Sequence, residues 1–554
     1  MAETKRERLS KIHSAGKLEL TSNWVPHYRD LADYILPRRS RFLVSDRNKG
    51  DRRNLKIIDP TATLASRTQR AGMFTGVTSP ARPWFRLQTP DPDLMESFAV
   101  KNWLYVVEER MRNAMLRSNL YNALPILFGD IGTFGTGAFV LLEDARSIFR
   151  CFPLPIGSYW LAQNDSLRVD TLGREYTMTV RQLVDAFGSN VSRTVKSLYD
   201  NGSYEEPVQL THVVGPNLWA EAGKRNGMHM PVASCYYESQ GDSQAFLRES
   251  GFQEFPVLAP RWEVTGEDVY ASECPGMVCL GDAKALQLLH KRKAQAVEKM
   301  INPPMTAPSS MRNQRTSSIA GDVTYVDARD GQNTFKPAYE IGSFRIEPLV
   351  QDIADHQQRI SRAYYEDLFL MLAQSDRREI TAREIEERHE EKLLMLGPVL
   401  ERLNSELLDP LIDRVFRIMV SRGLFPEPPE ELREVDLKVE YISIMAQAQK
   451  LLSANSIERL TGFAANLAAV QPDVLDKVDF DQAIDEYGGI TGAPPRLIRS
   501  DDDVAALRAN RAEQQAKQAQ LEQGAVAAQS AKTLSETDTG GDNALTQILG
   551  AQVA

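Results

Sequence analysis

Apolar and polar positions change rhythm several times along the chain. Over residues 1–75, Trp24, Tyr28, Leu31, Ala32 and Ile35 recur at helical spacing, and Pro37 with Arg38 and Arg39 ends the run. Asp59-Pro60-Thr61 predicts a helix entry, with Asp59 as N-cap, Pro60 at the first helical position and an end near Phe74. A proline-rich link, Thr78 to Phe85, follows in extended backbone. Residues 92–125 are again helical, with Leu104, Val107, Met111, Met115 and Leu116 on one face. From about 138 to 265, Val, Ile, Tyr, Phe and Thr rise, and turns such as Asp200-Asn201-Gly202 break short apolar runs. This predicts strands and hairpins around one helix near Thr179–Phe187.

The second half returns to helix. Residues 281–302 put Leu286, Leu289, Ala296, Val297, Met300 and Ile301 on one side; Lys284, Lys291, Arg292 and Lys299 fall on the other, within an arc of about 100°. Asn302-Pro303-Pro304 stops that helix. Residues 303–345 lack helical period and carry short β-like pieces at Val323–Val326 and Thr334-Phe335. Helix resumes over 346–372, where Leu349, Ile353, Ile360, Tyr364, Leu368 and Met371 share a face. A polar break from Ala373 to Arg378 precedes the longest helical region, about 381–422. That region opens on a Thr381/Glu384 capping box and carries Leu396, Leu400, Leu403, Leu407, Leu411, Val415 and Met419. Gly397-Pro398 and Asp409-Pro410 should kink it. A smaller helical unit spans 441–510, and an Ala/Gln-rich tail, expected to be disordered, spans 511–554.

Composition narrows the function. A chain of 554 residues with 42% hydrophobic and 25% charged residues is an ordinary globular protein, large enough for three or four units by length alone. Its net charge of −10 argues against a generic basic nucleic-acid binder but leaves room for local basic patches. Four scattered cysteines cannot form a disulfide scaffold and suit a reducing compartment. The charged start has no apolar leader core, and nothing approaches the roughly 18 apolar residues of a membrane helix, so no membrane partner and a cytoplasmic site of synthesis are expected.

Catalytic patterns are missing. There is no G-x-x-x-x-G-K-[ST] and no G-x-S-x-G. Gly129, Gly132, Gly135 and Gly137 precede a strand instead of following one, so they read as tight turns and not as a dinucleotide loop. The His389-Glu390-Glu391 run reads as a solvated helix face, Cys274 and Cys279 lack a second ligand pair, and Asp327 and Asp330-Gly331 read as turns. The expectation is no enzyme, no cofactor and no metal. The informative feature is an order: helix, small β-containing excursion, helix of matched length, polar loop, long kinked helix. Such a pair of helices suits a ring to which each subunit contributes two staves.

Several stretches carry a resemblance. They are Gly76-Val77-Thr78-Ser79-Pro80-Ala81-Arg82-Pro83-Trp84-Phe85, the Gly129–Gly137 cluster, Phe152–Tyr159, Glu254-Phe255-Pro256 with Pro260-Arg261-Trp262, and Tyr365–Phe369. The strongest runs from Thr381-Ala382-Arg383-Glu384-Ile385 through Glu391-Lys392 to Leu396-Gly397-Pro398-Val399-Leu400. In this order, over roughly 20–450, the chain resembles the head-to-tail connecting (portal) proteins of short-tailed bacteriophages.

The resemblance implies a mainly α chain with an α+β wing, assembling as a ring of about twelve subunits at one capsid vertex. By chain order, 1–280 is the wing, 281–302 and 346–372 are the two stem helices, and 303–345 is a small α/β clip. Residues 373–380 are the tunnel loop, 381–440 the long kinked wing helix and its exit, and 441–510 the helical crown. The 511–554 tail either lengthens the crown as a barrel or is disordered. The genome enters and leaves as sequence-independent double-stranded DNA. Candidate channel contacts are Lys284, Lys291, Arg292, Lys299, Asp376, Arg377 and Arg378. Candidate docking residues for the terminase motor and tail adaptor proteins are Arg312, Arg315, Arg329 and Lys336, with coat and scaffold proteins meeting the wing. The protein would reside at the virion's portal vertex, and in host cytoplasm during assembly. The alternative is another ring-forming virion protein such as a tail adaptor; a nuclease or hydrolase stands third.

Overall fold

In the computed structural model the chain divides into two units, Met1–Gln449 and Lys450–Ala554. The residues described are 4–43, 53–306, 312, 336–337, 347–374, 396–432 and 437–442 in the first unit, less 92–93, 95–96, 222, 225 and 241–244. In the second they are 457–491, less 458, 469–470, 472 and 474–476, and 501–536. The Thr381/Glu384 capping box, the β-like pieces at 323–326 and 334–335, and His389 lie outside them.

The first unit begins with α1 (Lys5–Glu19), a π-turn (Leu20–Trp24), α2 (Val25–Tyr34) and α3 (Thr61–Val77). Asp59 does assist the start of α3, accepting from the Thr61 backbone N–H at 2.8 Å, although Pro60 occupies the cap itself. After β1 (Phe85–Gln88) come α4 (Phe98–Arg117) and α5 (Leu120–Phe134). Leu104, Val107, Met111 and Met115 are buried on α4, whereas Leu116 is exposed, a correction to the expected apolar face. Gly129 and Gly132 also depart from expectation: they lie inside α5 and not in turns. A Cβ on Gly132 would collide with the Gln69 side-chain amide of α3, so close helix packing is what requires the glycine there. Gly135, with φ +78°, does end α5 in the left-handed region.

The β-rich stretch forms two antiparallel sheets. In the first, β2 (Ala138–Asp144) lies between β3 (Ile148–Leu154) and β9 (Val257–Leu258). The second is a five-stranded meander of β4 (Tyr159–Gln163), β5 (Val169–Thr179), β6 (Pro207–Pro216), β7 (Val232–Glu238) and β8 (Arg248–Phe252). Leu172 opposes Val214 and Val214 opposes Ser234, so alternate residues meet the same side. One face is covered by α6 (Val180–Phe187), entered through a Thr179/Gln182 capping box, and by α7 (Arg193–Asp200). At the other face Leu9 of α1 packs against Val213, Ala233, Cys235 and Tyr237. His13 joins α1 to the sheet: its Nδ1 accepts from Trp160 Nε1 at 2.9 Å and its Nε2 lies 2.8 Å from Glu175.

The helical half follows. A short α8 (Pro275–Val278) leads into α9 (Leu280–Ile301); α10 (Glu347–Ala363) and α11 (Glu366–Gln374) come after it. One continuous helix over 346–372 was expected; instead Tyr364 and Tyr365 divide it. Next, α12 (396–403) passes through a π-turn (Asn404–Leu408) into α13 (Asp409–Ser421). The π-turn stands directly before Pro410, whose ring cannot donate to the preceding turn, so the helix continues through a wider turn. Leu396, Leu400, Leu403, Leu407, Leu411, Val415 and Met419 are all buried against α4, α5, β2 and β3. The ribbon β1–β12 (β12, Lys438–Tyr441) closes this core, and β10 (Met305–Thr306) pairs β11 (Lys336–Pro337).

The second unit contains α14 (459–468), α15 (Phe480–Thr491) and α16 (Asp501–Glu536). Arg508 of α16 forms a two-pronged ion pair with Asp481 of α15, at 2.6 and 2.8 Å. Disorder was expected from residue 511, yet 511–536 continue α16, because the Ala/Gln-rich stretch is free of proline and rich in helix formers.

Candidate functional site: the paired helices α9 and α10

No interior proline interrupts α9, and its end charges suit the helix dipole, Asp282 in the first turn and Lys299 in the last. Pro303 and Pro304 account for its stop at Ile301. The two halves of the helix have different surroundings. Leu280, Ala283, Leu286 and Gln287 are buried against α2, α8 and α10. From Lys291 onward every residue is exposed or half-buried.

A polar cluster locks the buried half. Gln287 Oε1 accepts from the backbone N–H of Ile58 at 2.6 Å and of Asp59 at 2.8 Å, and Gln287 Nε2 donates to Asp59 O at 3.0 Å. Gln357 of α10 donates to the Asp59 carboxylate at 3.0 Å, and His290 Nε2 lies 3.0 Å from the same Oδ2. A second tie joins the helices directly, His356 Nδ1 to Asp282 Oδ1 at 2.7 Å, with Arg359 3.5 Å from that oxygen. Asp282, Gln287, His290, His356 and Gln357 were missed in the sequence, and Asp59 was read only as a helix cap: Asp59 and Gln287 are 228 positions apart, so no local signal joins them.

The expected channel cations separate. Lys284 turns back into its own subunit: its Nζ is 2.5 Å from Asp30 Oδ2 and 5.6 Å from the centre of the Tyr34 ring. Nearby, burial lowers the pKa of His27; Lys284 acts in the same direction and Asp30 opposes it. Lys291, Arg292 and Lys299 are exposed and make no ion pair among the described residues. Asp376, Arg377 and Arg378 lie outside the described residues. Of the docking candidates, Arg312 sits in an exposed turn and Lys336 lies in β11, opposite Thr306; Arg315 and Arg329 lie outside the described residues.

Apolar residues share the exposed half of α9. Ile301 is 79% exposed, and Val297 and Met300 are each 38% exposed. Val297 and Ile301 line an open groove of about 550 Å³ together with His290, Lys293 and Ala294. Among the described residues no cluster of His, Cys, Asp and Glu could hold a metal ion, and no helix is long and apolar enough to cross a membrane. What the arrangement offers is an apolar stripe next to exposed cations on a helix anchored at one end.

Comparison with known proteins identifies the family. Residues 10–498 match the family model described as bacteriophage head to tail connecting protein, and the chain belongs to that family. Over 553 residues it is 52% identical to the portal protein of Salmonella phage epsilon15, covering 100% of this chain and 99% of that one. It is 43% identical over 533 residues to the probable portal protein of Bordetella phage BPP-1, covering 96% and 95%. Its function is that of a portal, the head–tail connector. Among solved structures, a chain titled "Neck of empty GTA particle computed with C6 symmetry" overlays 55% of this chain and 69% of its own, at 10% identity. Its TM-score of 0.25 is too low to relate the two folds.

Proposed function

We propose that about twelve copies of this chain close into a ring at one capsid vertex and that double-stranded DNA passes through it, inward during packaging and outward during ejection. α9 and α10 are the stem staves, flanked by the 1–280 wing, the 303–345 clip, the 373–380 tunnel loop, the 381–440 return and the 441–510 crown. The observation that carries this reading is the apolar surface that α9 leaves open. Val297, Met300 and Ile301 stand 38–79% exposed on a single chain. Burying apolar surface is favourable by about 25 cal/mol per Å², and the same helix pair of a neighbouring copy is the surface that repeats around a ring.

The charges then divide the work. A net charge of −10 per subunit repels phosphate, so DNA slides without being gripped. Lys291, Arg292 and Lys299, with Arg377 and Arg378 in the tunnel loop, touch the backbone without reading bases. Arg312, Arg315, Arg329 and Lys336 serve the clip, which meets the terminase motor first and the tail adaptors later. Coat and scaffold proteins meet the wing, in host cytoplasm during assembly and at the portal vertex of the virion afterwards.

Negative-stain images of the purified protein test the reading. A ring is expected, with a central hole wide enough for duplex DNA, about 20 Å, or roughly twice the ~10–12 Å width of an α-helix. A stable monomer would overturn it. Replacing Arg377 and Arg378 with Ala should change packaged DNA length or retention; unchanged values would remove the tunnel-loop contact.

A further inference from the structure

Tyr365 has φ +53°, in the left-handed region, between α10 and α11. Its neighbours Arg362-Ala363-Tyr364 and Glu366-Asp367-Leu368 contain no glycine, proline or asparagine. Nothing local asks for that conformation, which a bulky side chain adopts against its steric preference. The backbone closes tightly around it: Tyr365 N–H bonds Arg362 O at 3.0 Å, and Phe369 N–H bonds Tyr365 O at 3.2 Å. The adjacent Tyr364 is fully buried.

Tertiary contacts hold the bend. The Tyr365 ring is stacked on Trp262, with centroids 6.5 Å apart and planes at 29°. Phe369 is buried against Gly72 of α3, so closely that a Cβ on Gly72 would collide with the base of its ring. Thr68 Oγ1 donates to Glu366 at 3.3 Å. Local sequence therefore favours one straight helix, while docking on α3 and Trp262 favours the bend.

We infer that Tyr364–Tyr365 is a two-state joint: the bent form, docked on α3 and Trp262, alternates with a form in which α10 and α11 run as one helix. Straightening relieves the Tyr365 backbone and frees α11 from α3, which redirects the element leading out of the second stave. Any consequence for a DNA channel rests on the ring reading above; the joint itself does not.

Spin labels at Ala354→Cys and Leu370→Cys test it in the full chain, diluted with unlabelled chains. Both positions are exposed and all four native cysteines are buried, so labelling is specific. As one helix the two positions stand about 24 Å apart; bent, they stand closer. Tyr365→Gly, which adopts positive φ freely, should leave only the short distance. Tyr365→Ala retains the backbone penalty and loses the stacking, so it should raise the long-distance population at least threefold over Tyr365→Gly. Trp262→Phe, a second variant that leaves the joint residue in place, should shift the same way. One unchanged short distance in all variants would overturn the joint. Two distances in a protein that forms no ring would retain the joint and reject the channel reading.

Discussion

Gln287 grips Asp59 by both ends of its amide, accepting from the Asp59 backbone N–H at 2.8 Å and donating to the Asp59 carbonyl at 3.0 Å. Through this pair the chain ahead of α3 is fixed to α9, and through Gln357 the Asp59 carboxylate reaches α10. The buried end of α9 thus has a defined seat on the segment ahead of α3.

Removing that grip should loosen the seat. Gln287→Leu preserves bulk but leaves the N–H groups of Ile58 and Asp59 and the Asp59 carbonyl without partners. Such a loss costs roughly 1–3 kcal/mol. Thermal unfolding of the full chain should show a lower transition temperature than wild type. An unchanged midpoint would mean that the grip contributes nothing to stability.

Glu108 makes stability fall with rising pH. It is 8% exposed, and Oε1 accepts from the Leu87 backbone N–H at 2.7 Å. Burial pushes its carboxyl up from 4.5 to about 7, with the Leu87 hydrogen bond and Arg112 opposing. The folded chain therefore keeps a proton that the unfolded chain releases, and stability is lost between about pH 4.5 and 7. Glu108→Gln keeps the acceptor and carries no charge. Its advantage over wild type should be near zero below pH 4.5 and grow to roughly 3 kcal/mol above pH 7, measured as the difference in unfolding midpoint across pH. A pH-independent difference would refute the assignment.

Gly72 should not tolerate a methyl group. The nearest atoms to an added Cβ are Phe369 Cδ1, Cγ and Cβ, which form the root of the ring and not a flexible end. Gly72→Ala should destabilise by about 1–3 kcal/mol, as overpacking does. Combining it with Phe369→Leu should recover part of that loss; purely additive effects would mean that the two positions do not meet.

The π-turn before Pro410 aims Glu406 at Arg261. The guanidinium bonds that carboxylate at 2.7–3.2 Å and also reaches Gln163, Leu167 O and Val269 O. Arg261 is only 3% exposed. Glu406→Ala leaves a buried cation uncompensated, which typically costs about 3–5 kcal/mol. Loss of soluble, folded chain or a large drop in thermal midpoint is expected; a change under about 1 kcal/mol would show that the remaining three oxygens suffice.

Periodicity and punctuation determined the elements. The stripe from Leu396 to Met419 was legible because a helix facing a core repeats every three or four residues, and α9 was legible from that rhythm and from Pro303-Pro304. The helix near Thr179–Phe187 and the turn at Asp200–Gly202 were legible likewise, because their signals act within a few residues. The family resemblance was legible from ordered motifs for the same reason, since it requires no knowledge of which segments touch. Tertiary structure alone decided the rest. Lys284 reads as one of four cations on a helix face until Asp30, 254 positions away, takes it. Gly132 reads as a turn until Gln69 crosses it, and Tyr365 reads as helix until Trp262 and Gly72 hold it bent. Local pattern sets the backbone's preferred conformation and the side that seeks burial, because both depend on near neighbours. Which charge is neutralised, which glycine is crossed and which helix is bent depend on surfaces that meet only after the chain has folded.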